Sequence, residues 1–228
     1  MKLLALINAR KGSKGIKNKN KKLLNGKPLI SWTFDVVKKM SYRFEETILS
    51  TNDLDIIKIA KEYDIKVPFI RPESLSKDST LQIDVIKHAL IYAEKKKKFD
   101  AVILFQPTNP IRSIKDVENC IKLFKKENPD NVITVVKTKK NLLNTIYEKK
   151  KKFLIPKFNH SNRGTLRQNN VNYFSRVGSI YIIKTKLIRK GILFGKKILG
   201  VEVNLLNSFD IDEPDDWKLI SIINKSEK

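Results

Sequence analysis

The sequence predicts an α/β protein built on a mostly parallel sheet with helices over both faces. Three observations predict it. Short apolar runs, above all Leu3–Ile7 and Ala101–Phe105, read as strands buried on both sides, not as alternating half-exposed ones. Segments with helical spacing of apolar residues separate such runs. The alternation of strand and helix continues to about residue 137, the pattern of a parallel sheet with crossover helices. A length of 228 residues suits a single such domain, residues 1–228, with a small appended lobe.

Each element has a local reason. Residues 3–7 form the first strand, and the polar, Gly-containing stretch from Asn8 to Asn20 follows as a loop. Residues 28–40 suit a helix. Pro28 stands in its first turn, where a missing N–H costs nothing, and Leu29, Ile30, Trp32, Phe34, Val36 and Val37 supply apolar positions. Glu46–Thr51 reads as a short strand, and Asp53 as the N-cap of a helix running to Tyr63. Val67–Ile70 reads as another strand, ended by Arg71-Pro72. Ser79–Lys95 reads as a long helix with Val85, Ile86, Ala89, Leu90 and Ala93 on one side. After the strand at 101–105, Gln106-Pro107-Thr108-Asn109-Pro110 forces a sharp exit. Ile114–Lys126 is a helix and Val132–Val136 a buried strand. From Lys137 to Asn172 the chain is polar, lysine-rich and weakly periodic. Ser179–Ile183 and Leu199–Val203 read as strands, and residues 211–223 hold a closing helix after Pro214.

The formal net charge is +23, which invites a nucleic-acid reading. Only eight of the 47 basic residues are arginine, and the lysines are spread along the whole chain. Lys, Asn and Ile are abundant together and share AT-rich codons, so codon bias accounts for most of the charge. Nucleic-acid binders carry arginine clusters interleaved with aromatics, and none occurs. The rival reading, a basic nucleic-acid-binding protein, predicts steeply salt-dependent affinity and no use for a carboxylate pair. No apolar run reaches the roughly 18 residues that a membrane span needs. The start of the chain is followed by Arg10 and Lys11 where a signal-peptide cleavage site would stand. Cys120 is the single cysteine, so no internal disulfide can form. The expectation is a cytoplasmic protein without membrane or nucleic-acid partners. His88, His160 and Cys120 show no catalytic or metal-ligand spacing.

The loop that follows the first strand, Ala9-Arg10-Lys11-Gly12-Ser13-Lys14-Gly15, has the makings of an anion site. Glycines admit backbone N–H groups close to phosphate, and Arg and Lys add charge. It matches neither the Walker A pattern nor GxGxxG, and a plain solvent loop in a lysine-rich chain would look similar. The full segment INARKGSKGIKNKN resembles the signature of the acylneuraminate cytidylyltransferases, the CMP-sialic acid synthetase family: I-P-A-R-x-G-S-K-G-[IL]-x-x-K-N. Arg10, Gly12, Ser13, Lys14, Gly15, Ile16, Lys19 and Asn20 match it, and Asn8 replaces the usual proline. The resemblance implies a three-layer nucleotidyltransferase fold whose first loop wraps the CTP phosphates. Arg10 and Lys14 would hold the β- and γ-phosphates, Lys19 the α-phosphate, and Asn20 would help hold the nucleotide.

Four later blocks extend the resemblance over most of the chain. Arg71-Pro72-Glu73-Ser74-Leu75 with Asp78 resembles R-P-x-x-L-x-x-D, whose Arg contacts cytosine in the family. Hydroxyls just beyond it help read the base, and Thr80 occupies that stretch. A planar guanidinium can both donate to a base carbonyl and stack. Leu104-Phe105-Gln106-Pro107-Thr108-Asn109-Pro110-Ile111-Arg112 resembles L-x-Q-P-T-[SN]-P-x-R, in which the Gln contacts the acidic sugar. The block leaves the carboxyl end of a strand, where open α/β sheets bind ligands. Arg167-Gln168, Tyr173 and Gly178-Ser179-Ile180-Tyr181-Ile182 resemble a region that binds the sugar and builds the dimer. Val177 and Ser179 replace the usual Asn and Ala. This implies sugar-binding roles for Gln106, Arg167 and Tyr173, with Arg176 a competing anion ligand. It makes residues 138–180 a dimerisation and sugar-binding insertion, and the protein a homodimer.

The last block is Phe209-Asp210-Ile211-Asp212-Glu213-Pro214-Asp215-Asp216. Carboxylates at i and i+2 of an extended segment share a side, while Ile211 points the other way. Such a pair can hold a hard divalent cation together with phosphate oxygens, and an acidic helix cap is the plainer alternative. In the family the D-I-D pair binds Mg²⁺, so the resemblance assigns metal binding to Asp210 and Asp212 and leaves capping to Asp215 and Asp216. The reaction it implies is attack by an anomeric hydroxyl on the α-phosphate of CTP, with Arg10 and Lys19 stabilising charge and Asp212 as a proton acceptor. The acceptor class is an acidic 2-keto sugar such as a nonulosonate. A nucleotidyltransferase of the same fold using another nucleotide or sugar is the nearest alternative.

Overall fold

A computed structural model describes residues 1–138, 146–158 and 172–226. In chain order the elements are β1 (Leu3–Asn8), a two-residue ribbon of β2 (Leu23–Leu24) and β3 (Lys27–Pro28), α1 (Leu29–Lys39), β4 (Glu46–Ser50), α2 (Leu54–Glu62), α3 (Gln82–Ala93), β5 (Ala101–Phe105) and α4 (Ile114–Glu127). Then follow β6 (Asn131–Lys137), β7 (Tyr147–Lys150), β8 (Phe153–Pro156), β9 (Phe174–Lys184), α5 (Thr185–Arg189), β10 (Ile198–Glu202) and α6 (Pro214–Ser226).

The central sheet has the order β10-β6-β9-β5-β1-β4. Neighbours pair in parallel except around β9, which runs antiparallel to both β5 and β6. Strand β1 shows why the middle is apolar on both sides. Leu3, Ala5 and Ile7 pack with side chains of α1, α2 and α4, whereas Leu4 and Leu6 pack with those of α3 and α5. Three layers result, with two continuous cores on either side of the sheet.

The structure departs from the sequence reading in several places, among them the unanticipated β2–β3 ribbon and β7–β8 hairpin. Residues 67–70 form only a single bridge, Thr51 to Ile70, because Pro68 has no N–H to contribute to a ladder. The helix expected over 79–95 starts at Gln82, and residues 79–81 stay outside it. Strand β9 begins at Phe174, so residues 174–180 lie in the central sheet and not in an insertion. The short helix α5 was not anticipated. Its five residues are too few for periodicity to register.

Two features position the site. The chain leaves the neighbouring parallel strands β1 and β5 at the same edge of the sheet, which opens a crevice between the loops that follow. A third, smaller apolar cluster joins Ile211 and Ile220 to Ile16, Leu24, Leu29 and Ile111. This cluster docks α6 and the segment before it onto the first loop, so residues some two hundred positions apart meet.

Candidate active site

The first loop is shaped by backbone conformations that most residues avoid. Gly12 adopts φ 75° and Asn18 φ 57°. The turn at Asn18 starts a short 3₁₀ segment that carries Lys19 inward, where it is 8% exposed. The Lys19 ammonium donates to the carbonyl of Ile211 and, at 3.0 Å, to Asp212 Oδ1. The amino-end loop and the carboxyl-end acids thus converge on one point. Gly15 permits this approach: a Cβ there would lie 2.1 Å from the carbonyl oxygen of Asp212.

The acidic segment is held by backbone and amide contacts. Ile211 N–H donates to the Thr108 carbonyl at 2.8 Å, and Asn109 Nδ2 donates to the Phe209 carbonyl at 2.7 Å. Asp216 accepts from the N–H groups of Asp212 and Glu213 at 3.0 and 2.7 Å, which holds its carboxyl below the usual range. The capping role of Asp216 is visible here, while Asp215 pairs with Lys218 at 3.0 Å. Asp210 and Asp212 flank the fully buried Ile211 but differ in setting. Asp212 is exposed. Asp210 is half-buried, and its desolvation, with Asp212 nearby, raises its carboxyl above the usual range against the opposing pull of Thr108 and Lys19. Its Oδ1 has no hydrogen-bond partner in the protein. Gly178 makes room for this carboxylate. A Cβ there would lie 2.9 Å from Asp210 Oδ2 and 3.0 Å from Gln106 Oε1.

An open cavity of about 580 Å³ is lined among others by Arg10, Lys14, Lys19, Gln106, Asp78 and Asp212, whereas Asp210 is not among its lining residues. Gly12, Ser13 and Asn20 also reach it. The side-chain carbonyl oxygens of Asn8 and Asn20 are buried without partners. Arg71 and Thr80 do not line the cavity. Arg71 is buried, its Nε donating to Ser50 Oγ at 2.9 Å and its Nη2 to the Ser50 carbonyl. Burial, then the nearby Arg10, lower its pKa to about 10. Thr80 Oγ1 faces the Ser74 carbonyl at 3.4 Å. Tyr173 is half-buried just before β9, its carbonyl accepting from Thr138 N–H at 2.9 Å. Arg167 lies outside the described residues.

Two roles were not anticipated. Arg112, at the end of the Gln106 block, is buried and acts as a splice. It donates to the Gln106 carbonyl at 2.8 Å, to Ser179 Oγ at 3.0 Å and to the Ser179 carbonyl at 2.9 Å, and burial lowers its pKa to about 9. Ser179, where the family pattern has alanine, therefore supplies a hydroxyl to the residue that locks β9 to the loop. The second is Asp78, which pairs with Arg10 and, at 3.1 Å, with Lys14. Its place at the end of R-P-x-x-L-x-x-D was a signal without a role. Among the described residues no cluster of three or more His, Cys or carboxylate groups forms a complete metal cage, so Asp210 and Asp212 could supply only part of a cation's shell.

The chain as a whole is similar to known proteins. The family described as cytidylyltransferase matches residues 4–227. The chain is 32% identical over 227 residues to the post-translational flagellin modification protein B of Campylobacter coli, covering 98% of this chain and 95% of that one. It is 30% identical to the CMP-N,N'-diacetyllegionaminic acid synthase of Legionella pneumophila, over 96% and 94% of the two chains. It is also 30% identical to the N-acylneuraminate cytidylyltransferase of Escherichia coli, covering 98% of this chain but 52% of that longer protein. Among solved structures, a CMP:2-keto-3-deoxy-manno-octonic acid synthetase complexed with CTP superposes over the whole of both chains with a TM-score of 0.74 at 15% identity, a likeness of fold. With a three-layer nucleotidyltransferase fold, a basic Gly loop closed onto an Asp-Ile-Asp segment, and a match over nearly its full length, the chain belongs to the cytidylyltransferase family.

Proposed function

We propose that this enzyme transfers CMP from CTP to the anomeric hydroxyl of an acidic 2-keto sugar of the sialic or legionaminic acid type. The observation that carries this reading is the contact of Lys19 with Asp212 at 3.0 Å in the lining of a cavity that Arg10 and Lys14 also line. A triphosphate laid there meets cations along its length. The names of the full-length relatives, two of them CMP-N,N'-diacetyllegionaminic acid synthases, favour a nonulosonate acceptor.

In the reaction the anomeric oxygen forms a bond to the α-phosphorus. The bond from that phosphorus to the α,β-bridging oxygen breaks, and pyrophosphate leaves with the electron pair. The chemistry needs alignment and charge neutralisation more than covalent help. Lys19 stabilises the negative charge on the α-phosphate, and Arg10 and Lys14 stabilise the leaving pyrophosphate. Backbone N–H groups at Gly12 and Ser13 and the amide of Asn20 orient the nucleotide, and Arg71 and Thr80 serve the base. Gln106, Arg167 and Tyr173 serve the sugar. The acceptor's proton passes to Asp212, which engages Lys19 through Oδ1 and is otherwise exposed.

Asp210 and Asp212 fit Mg²⁺. The unpartnered, buried Asp210 Oδ1 is an expensive group without a cation, and two carboxylates leave the remaining positions to phosphate and water oxygens, as Mg²⁺ prefers. Bound there, the ion would neutralise phosphate charge and acidify the sugar hydroxyl. The test is pyrophosphate release from CTP, ATP, GTP and UTP against a panel of nonulosonates and eight-carbon ulosonates. Turnover is expected with CTP and a nonulosonate, and chelation by EDTA should lower it at least about a hundredfold. Preference for another nucleotide, or full activity in EDTA, would overturn the corresponding part of the reading. CTP is a cytoplasmic metabolite, so the reading places the enzyme in the cytoplasm. No described helix is long and apolar enough to cross a membrane.

The reading includes a homodimer. The β7–β8 hairpin exposes Tyr147, Phe153, Leu154, Ile155 and Phe158, with Leu154 65% exposed. A lone two-stranded ribbon is marginally stable in water, and such apolar side chains call for cover. The family resemblance implies a dimerisation role for residues 138–180, and we assign the hairpin a second copy of this chain as its partner. Sedimentation should give a dimer for the native chain, and Leu154→Asp should shift it to monomer. A native monomer would end this part of the proposal.

A further inference from the structure

We propose that Asp78 is a competing anion built into the phosphate site: it pairs with Arg10 and Lys14 in the empty enzyme, yields them to the triphosphate, and takes them back as pyrophosphate leaves. The inference rests on the phosphate-binding roles given to Arg10 and Lys14 above. Both cations turn toward one carboxylate, Arg10 to Oδ1 and Lys14 to Oδ2 at 3.1 Å. Among the described residues no other carboxylate pairs with either.

The pair is not needed to hold the turn that carries Asp78. Arg71 N–H donates to the Thr51 carbonyl at 2.8 Å, Leu75 N–H to the Pro72 carbonyl at 2.9 Å, and Ser76 Oγ to the Pro72 carbonyl at 3.1 Å. Nor is it needed to join the turn to the first loop. Asn52 does that, accepting from Lys11 N–H at 2.7 Å and donating to Glu73 Oε1 at 3.1 Å. Asp78 is left as a partly exposed carboxylate, 44% accessible, on the rim of the cavity and free to swing out.

The energetics favour exchange. An exposed ion pair is weak, so Asp78 cannot hold the cations against a polyanion bearing several charges. Pyrophosphate, once severed from the nucleotide, binds through fewer contacts than CTP. A tethered carboxylate that re-pairs with Arg10 and Lys14 then competes with it at high local concentration.

The test is calorimetric titration of the full chain with sodium pyrophosphate in Mg²⁺ buffer, paired with the product-inhibition constant of pyrophosphate against CTP. Asp78→Asn keeps the shape and removes the charge, and should bind pyrophosphate about two- to fivefold tighter, the scale of a lost exposed ion pair. Asp78→Glu, which keeps the charge, should stay near the native value. Affinity that is unchanged or weaker in Asp78→Asn would overturn the proposal and make Asp78 a mere brace. A native enzyme that binds no pyrophosphate would instead remove the phosphate-site reading on which the proposal stands. Native binding without tightening in the variant removes the proposal alone.

Discussion

Lys19→Met is expected to lower kcat about a hundred- to a thousandfold, the usual cost of removing one fixed charge-stabilising donor from a transfer site. Methionine keeps the length and apolar stem of the side chain, which is buried, so the fold should persist. What disappears is the ammonium that sits 3.0 Å from Asp212 and faces the cavity. On the proposed reading the loss should fall on kcat more than on the KM for CTP, because charge at the α-phosphate grows in the transition state, whereas that reading gives Arg10 and Lys14 much of the ground-state binding. Lys19→Arg should not restore the rate, since the forked guanidinium cannot occupy the narrow place between the Ile211 carbonyl and Asp212. Steady-state kinetics of the three proteins decide the matter. A kcat within threefold of native in Lys19→Met would remove Lys19 from the chemistry.

Gly15→Ala is expected to cost at least about tenfold in kcat/KM while leaving the circular dichroism spectrum unchanged. The added methyl would lie 2.1 Å from the Asp212 carbonyl oxygen and 3.2 Å from its carbonyl carbon. Neither contact is with a flexible side-chain end, so two backbones must separate. A displacement of about 1 Å at a transfer site can cost a hundredfold. Gly12→Ala is the informative contrast. Its Cβ would meet nothing within 4 Å, but the residue sits at φ 75°, so the penalty is conformational, about 1–2 kcal/mol, and shows in thermal stability. The convergence of loop and acids is wrong in its details if Gly15→Ala is as active as native enzyme and Gly12→Ala is not.

Both predictions depend on how a short apolar cluster brings distant parts of the chain together. Ile211 is wholly buried beside Ile16 and Ile220. Its insertion turns Asp210 and Asp212 toward Lys19, and the Thr108 and Asn109 contacts then set the height of the segment above the sheet. The differing burial of the two acids follows from this seating. Asp210 lies under Gly178 beside Gln106, while Asp212 stands at the rim with Gly15 and Lys19.

Much of this was legible before any coordinates. Strand β5 is apolar throughout and β1 is so up to its last residue, Asn8, and such runs have no stable place except a sheet covered on both faces. The Asp53 cap is a local contact between the side chain and the Asp55 N–H two residues on, so sequence suffices to place it. The phosphate loop and the Asp-Ile-Asp segment carry their chemistry in residue types and short spacing, which is why they stand out along the chain. The strand expected at 67–70 failed because Pro68 removes the donor that a ladder needs, a signal that was present and outweighed by apolar content. The start of β9 was misplaced because its early residues gain strand geometry from β6, through the pairs Val135–Arg176 and Lys137–Phe174, and not from their own sequence.

By itself, then, the amino-acid order indicated most of the strands and helices and picked out side chains whose types suit phosphate and a divalent cation, since those properties depend on neighbours within a few residues. Tertiary structure alone decided that Arg112 is a buried splice, that Ser179 serves it, that Asp78 holds Arg10 and Lys14, and that Asp210 is half-buried while Asp212 is open. Each of these depends on contacts between groups tens to about two hundred residues apart. Such contacts arise only when burial of apolar surface closes the intervening chain, and no local pattern encodes which partner is waiting on the other side.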